Sequence, residues 1–204
     1  MVPGVVLAAG ASARMGRTKA LLPTGMPGET FLSRIASTLV AAGVDDVVVV
    51  VDAARPEVAA AGRALPGPIR LVANPEPQRG QLSSMLAALD VVDRPGVLGM
   101  LVTLADVPLV SVETVRALLA AHRRTRAPVV RPEMEGAHGH PVIFDRAVFD
   151  ELRRATAPGG AKIVIRAHAA DELCVRVSDP GAFLDVDTPE DYERAFGRPF
   201  PGGA

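Results

Sequence analysis

The sequence has one cysteine, Cys174, among its 204 residues. A lone thiol excludes an intramolecular disulfide and a zinc cage built from several cysteines. Flanked by Leu173 and Val175, it reads as a small buried hydrophobe. An excess of charge of either sign is also lacking. With 22 Lys and Arg against 23 Asp and Glu, there is no global basic field to attract nucleic acid, and a small-molecule partner is the better expectation. Long hydrophobic runs are lacking as well: individual runs are about strand length, far below the roughly 20 residues that span a bilayer, so no membrane is expected. Met1-Val2-Pro3-Gly4 carries no basic segment, and the apolar stretch after it breaks at Gly10. No signal peptide is read, and a cytoplasmic location is expected.

What the chain does have is alternation. Apolar runs at residues 5–8, 47–51, 69–72 and 97–104 read as strands buried on both faces, and helical spacing lies between them at 31–42, 57–65 and 81–92. That is the pattern of an α/β protein with a sheet covered on both sides. The second half is less regular. Ser111 is placed to cap a helix running to residue 124, short strands are expected at 129–131, 141–144, 173–177 and 183–186, and helices near 146–154 and 161–168. The mixture predicts a sheet that is mostly parallel. The length suits one domain over residues 1–196, and the Gly- and Pro-rich stretch 197–204 reads as a disordered tail.

The first strand runs into Ala8-Ala9-Gly10-Ala11-Ser12-Ala13-Arg14-Met15-Gly16-Arg17-Thr18-Lys19. Small residues let backbone N–H groups approach an anion closely, and Arg14 and Lys19 can neutralise phosphate oxygens from the flanks. This is chemistry suited to a nucleoside triphosphate. The spacing fits neither a dinucleotide fingerprint nor a P-loop, since five residues separate Gly10 from Gly16. Asp106 follows directly on the strand at 97–104, and strand ends of open α/β sheets face the ligand crevice, so its carboxylate is placed where Mg²⁺ can bridge it to phosphates. Taken alone, Asp106 reads first as a turn initiator before Pro108.

The segment from Leu7 to Lys19 resembles L-A-A-G-x-S-x-R-M-G-x-x-K, the signature of the MobA-like nucleotidyltransferases and, among them, of the molybdenum cofactor cytidylyltransferases; Leu7, Ala8, Ala9, Gly10, Ser12, Arg14, Met15, Gly16 and Lys19 all match. Leu104-Ala105-Asp106-Val107-Pro108 resembles the family's L-x-x-D-x-P, and Asp185-Val186-Asp187-Thr188-Pro189-Glu190-Asp191 its D-[IV]-D-T-P-E-D, in which the second Asp, here Asp187, helps hold the metal. Gly139-His140-Pro141 resembles the segment lying against the acceptor. Gly80-Gln81-Leu82-Ser83-Ser84-Met85 matches the family's G-M-S-x-S-L only loosely, with the serine pair shifted.

The resemblance implies a three-layer αβα sandwich with a mostly parallel, mixed sheet of the nucleotide-diphospho-sugar transferase type. It implies an Mg²⁺-dependent enzyme that moves a nucleotide, CMP from CTP as first choice, onto a phosphorylated acceptor, molybdopterin cofactor as first choice, and releases pyrophosphate. Arg14, Lys19 and Asp106 are the expected catalytic residues. Leu7 to Gly10, Ser12, Gly16, Gly80, Ser83 and Ser84 are the expected nucleotide contacts, Asp106 and Asp187 the metal ligands, and Gly139, His140 and Pro141 the acceptor contacts. A molybdoenzyme or its maturation factor is the expected protein partner. Transfer to a sugar or polyol phosphate, and a nucleotide-binding regulator without catalysis, stay open as alternatives.

Two other features read as structural. Thr188 and Pro189 suit a helix start, with Glu190 and Asp191 favourable at its positive end. His122 and His168 fall in helical stretches and read as surface residues. His138 and His140 suggest a metal pair, but no further His or Cys nearby in sequence completes a zinc site.

Overall fold

The computed structural model describes residues 1–10, 15–156 and 159–201. Its sheet has eight strands: β1 (Gly4–Leu7), β2 (Val47–Asp52), β3 (Ile69–Asn74), β4 (Gly99–Leu104), β5 (Val129–Met134), β6 (Ala137–His138), β7 (Val142–Asp145) and β8 (Leu173–Arg176). They are ordered β3-β2-β1-β4-β7-β5-β6, with β8 paired to β5. The first four are parallel, and β7 enters antiparallel between β4 and β5. The short β6 is also antiparallel to β5, whereas β8 is parallel to it. The mixed sheet thus has two antiparallel segments.

Seven α-helices accompany the sheet among the described residues: α1 (Phe31–Ala41), α2 (Pro56–Arg63), α3 (Gln81–Val92), α4 (Val112–Thr125), α5 (Phe149–Arg154), α6 (Ala161–Ala167) and α7 (Pro189–Phe196). Strand alternation assigns the layers. Val47, Val49 and Val51 of β2 pack with Ile35 and Leu39 of α1 and Leu118 of α4, while Val48 and Val50 pack with Leu89 of α3 and Leu152 of α5. Because both faces of the central strands are covered, their sequences are continuous apolar runs. A third, smaller cluster of Met15, Leu22, Phe31, Val186 and Tyr192 lies outside these layers.

Several expectations are corrected. Residues 183–186 form no strand: Pro180–Phe183 is a 3₁₀ turn whose start is capped by the Asp179 carboxylate accepting from the Gly181 N–H. His122 is fully buried rather than on the surface, and its Nε2 lies 2.8 Å from Asp145 Oδ2. Gly99 makes room for it, since a Cβ there would stand 3.1 Å from the His122 ring. His168 is partly covered and pairs with Glu151 at 2.9 Å. Residues 198–201, expected to fray, fold back instead, and the Phe200 ring meets Tyr192 edge-on at 5.6 Å between centroids.

Candidate active site

The strand order reverses direction between β1 and β4, and open α/β sheets place their ligand crevice at such a switch point, beyond the carboxyl ends of the strands. A cavity of about 270 Å³ lies there. Leu7, Ala8, Ala9 and Gly10 form one wall and Ala105 and Asp106 another. Gly80 and Ser84 at the start of α3 close the third side, together with Pro77 and Gln81, which the sequence reading had not singled out. Gly80 has φ +89°, a backbone conformation that favours glycine, and it turns the chain into α3.

Of the expected nucleotide contacts, Ser83 and Gly16 do not line this cavity. Ser83 is engaged locally: its hydroxyl donates to the carbonyls of Gly80 and Glu76, at 2.8 and 3.1 Å. Buried Asn74, at the end of β3, donates to the hydroxyls of both Ser83 and Ser84, and its carbonyl oxygen accepts from the Glu76 N–H. Asn74 therefore shapes the turn before α3, a role that a single asparagine in a turn-rich segment does not announce. Ser12 and Arg14 lie outside the described residues.

Lys19 sits in a short 3₁₀ turn, Lys19–Leu21, and its ammonium bridges two carboxylates. It donates to Asp106 Oδ2 at 2.9 Å and to Asp187 Oδ1. Burial works to lower the Lys19 pKa, but the hydrogen bonds and charges of Asp187 and Asp106 outweigh it and hold the amine above its ordinary value. The cation expected on the phosphates is here the counter-ion of the expected metal ligands. Asp106 Oδ1, by contrast, is buried with no hydrogen-bond partner among the described residues. Such an orphaned acceptor is costly unless something positive meets it. Two carboxylates from separate segments, one with an oxygen in that state, are an oxygen-only donor set that fits a hard divalent cation.

Three contacts bring Asp187 to Asp106. The Val186 N–H donates to the Asp106 carbonyl at 2.8 Å. Asp191 Oδ2 accepts from the backbone N–H groups of Asp187 and Thr188, while the Thr188 hydroxyl caps α7. Tyr192, fully buried, donates through its hydroxyl to the Pro23 carbonyl, just past the turn that carries Lys19. The third hydrophobic cluster thereby fastens both sides of the Lys19 bridge.

A second cavity of about 870 Å³ adjoins the first across Gly80 and Gln81. Gly139 and His140 line it, as do Asp185 and the cations Arg79, Arg131, Lys162 and Arg166. Gly139 is required by close approach, since a Cβ there would fall 2.1 Å from the Ala182 carbonyl oxygen, which accepts from the His140 N–H. Burial lowers the His140 pKa against the pull of the Asp185 and Asp106 charges, and its Nδ1 is buried without a partner. Asp185 is raised, by desolvation first and then by the Asp106 charge. Pro141 does not face this cavity; it borders a small cleft with Ile35, Leu39 and Val107. Lys162 and Arg166, four residues apart on α6, have no ion-pair partner among the described residues.

Strand ends that close on small residues at a sheet switch point, with two acids and a lysine at the mouth, define a nucleotide-handling α/β protein. The chain belongs to the MobA-like NTP transferase domain family, whose pattern matches residues 4–173. It is 35% identical over 204 residues to nicotine blue oxidoreductase of Paenarthrobacter nicotinovorans, covering 95% of each chain. Against a probable molybdenum cofactor guanylyltransferase of Mycobacterium tuberculosis it is 29% identical, covering 91% of this chain and 88% of that one. The crystal structure of Rv0371c from the same organism superposes with a TM-score of 0.78 at 31% identity, over 97% of this chain and 99% of that one. Rv0371c has also been solved in complex with manganese. No helix among the described residues is long and apolar enough to cross a membrane.

Proposed function

We propose that this family member is an Mg²⁺-dependent nucleotidyltransferase that moves a nucleoside monophosphate from a triphosphate onto a phosphorylated acceptor. The observation that carries the reading is the pairing of Asp106 and Asp187 at the mouth of the small cavity, with Asp106 Oδ1 buried and unpartnered. The backbone from Leu7 to Gly10 receives the nucleotide, and the acceptor lies in the larger cavity against Gly139 and His140. An acceptor phosphate oxygen forms a bond to the α-phosphorus, the bond to the β-phosphate breaks, and pyrophosphate leaves with that electron pair. The attacking phosphate is already ionised, so no side-chain base is needed, and catalysis is positioning and electrostatics. Asp106 and Asp187 would hold Mg²⁺, which neutralises charge on the phosphates when bound. Lys19 and Arg14 are the cations assigned to the triphosphate. Neutral His140 offers a hydrogen bond to the acceptor.

CTP is the first choice of donor, because Leu7-Ala8-Ala9-Gly10 carries no second glycine in the loop, and molybdopterin cofactor is the first choice of acceptor. GTP is the competing donor, in line with the relative named as a guanylyltransferase. A redox role is the second reading, favoured by the 35% identity to nicotine blue oxidoreductase. Melting temperatures with CTP, GTP, ATP, UTP, NADH and NADPH, each with and without Mg²⁺, separate these readings. A ligand at about 100 times its dissociation constant adds about 2.7 kcal/mol, which appears as a shift of several degrees. The expected result is an Mg²⁺-dependent shift with one triphosphate. A shift with a nicotinamide nucleotide and with no triphosphate overturns the transferase reading.

A further inference from the structure

Beyond the larger cavity, the sheet brings together three donors that are distant in sequence. His138 on β6 and Cys174 on β8 flank β5, where they pair in register with Glu133 and Arg131. Their side chains meet, with His138 Nε2 3.4 Å from Cys174 Sγ. Glu172, two residues before Cys174, brings Oε1 to 3.7 Å from the same sulfur, and its backbone N–H is held by the His168 carbonyl at the end of α6. Cys174 is therefore no buried hydrophobe, and the partners that the sequence near His138 lacks come from β8 and from Glu172 just before it.

We propose that His138, Glu172 and Cys174 form a binding site for a zinc-class divalent cation, separate from the Asp106 and Asp187 pair. One ligand atom from each residue lies within 4.8 Å of the other two. A tetrahedral zinc with Zn–S of about 2.3 Å and Zn–N or Zn–O of about 2.0–2.1 Å sets its ligand atoms about 3.5 Å apart, close to the sulfur contacts seen here. A sulfur, nitrogen and oxygen set selects zinc over Mg²⁺, whereas the two-aspartate pair offers oxygen alone.

The Arg131 and Glu172 pair supports this independently. Arg131 reaches Glu172 Oε1 through one nitrogen at 2.8 Å, which leaves Glu172 Oε2 and Arg131 Nε buried and without partners. A bidentate pair would satisfy both atoms; the one-point contact leaves carboxylate capacity for a further cation. Three protein ligands leave a fourth position open, and since His138 also lines the larger cavity, a bound ion ties β6 and β8 into the wall of that cavity.

The test is a titration of the metal-free full chain with Co²⁺ and with Zn²⁺ in saturating Mg²⁺. The expected result is one equivalent bound, with a thiolate-to-cobalt charge-transfer band in the near ultraviolet. Cys174→Ser removes the band, and His138→Ala, at an exposed position, weakens zinc binding at least ten-fold. Asp106→Asn leaves both unchanged. Absence of the band in the unaltered protein overturns the proposal, as does binding that survives His138→Ala at full strength. Zinc lost with Asp106→Asn but retained with Cys174→Ser overturns it too, by placing the ion on the two aspartates.

Discussion

The two adjoining cavities are built differently. The smaller is walled by backbone and small residues at the ends of β1 and β4, fixed by a parallel sheet buried on both faces. The larger adds to core residues of β4, β7 and α3 the charged and bulky side chains of short or irregular elements, among them β6, α6 and the 3₁₀ turn before Asp185. Backbone contacts read what every nucleoside triphosphate has in common, while side chains discriminate. Under the proposed function, the difference puts donor handling in the fold itself and acceptor choice on its periphery.

The sharpest way to break this comparison is at the mouth of the smaller cavity. Asp106→Asn is expected to lower pyrophosphate release by about 1,000-fold or more, as losing a principal electrostatic contact to reacting phosphates does, with the fold retained by circular dichroism. Activity near the unaltered level would remove the smaller cavity from the chemistry.

Next in size is Tyr192→Ala. Stripping a fully buried ring that contacts Phe31, Phe196 and Phe200 is expected to cost about 3–5 kcal/mol in urea unfolding. Tyr192→Phe should cost about 1 kcal/mol, the hydrogen bond to Pro23 alone. Lys162→Ala addresses the other cavity. We expect a rise of about ten-fold in the acceptor KM, the loss of one charge-assisted contact, with the triphosphate KM unchanged. A rise in the triphosphate KM instead would erase the division of labour.

The smallest effect is a slope. Burial lowers the His122 pKa despite the Asp145 carboxylate beside it, so the folded protein resists taking up a proton that the unfolded chain accepts near pH 6.5. His122 stabilisation is therefore fully present above that pH and is lost as pH falls below it, by at most about 1.4 kcal/mol per unit. In His122→Asn, denaturant midpoints between pH 7.5 and 5.5 should fall less steeply than in the unaltered protein. An identical slope would show that the ring is not buried neutral.

The same contrast governs what the sequence could reveal. Strands β1 to β4 were legible within about two residues at most ends because continuous apolar runs mark burial on both faces. Ser111 and Thr188 caps were legible from local chemistry, and both are present. Residues 183–186 misled because Phe183, partly buried, and Val186, fully buried, pack on different clusters rather than on one strand face. His122 misled because its partner, Asp145, sits on β7, and its space is made by Gly99 on β4. Asp106 and Asp187 were readable through motifs, whereas the Lys19 bridge between them and the joining of His138 to Cys174 depend on tertiary closure.

The hydrogen bond from Val186 to the Asp106 carbonyl has a consequence for biosynthesis. A ribosome releases β1, β2 and β4 early, and domains tend to fold from the amino end as they emerge. The carboxylate pair, however, joins a residue made midway to one made near position 187. A nascent chain can therefore carry a finished sheet and still lack the Asp106 and Asp187 pair, which closes only once the segment leading into α7 has docked.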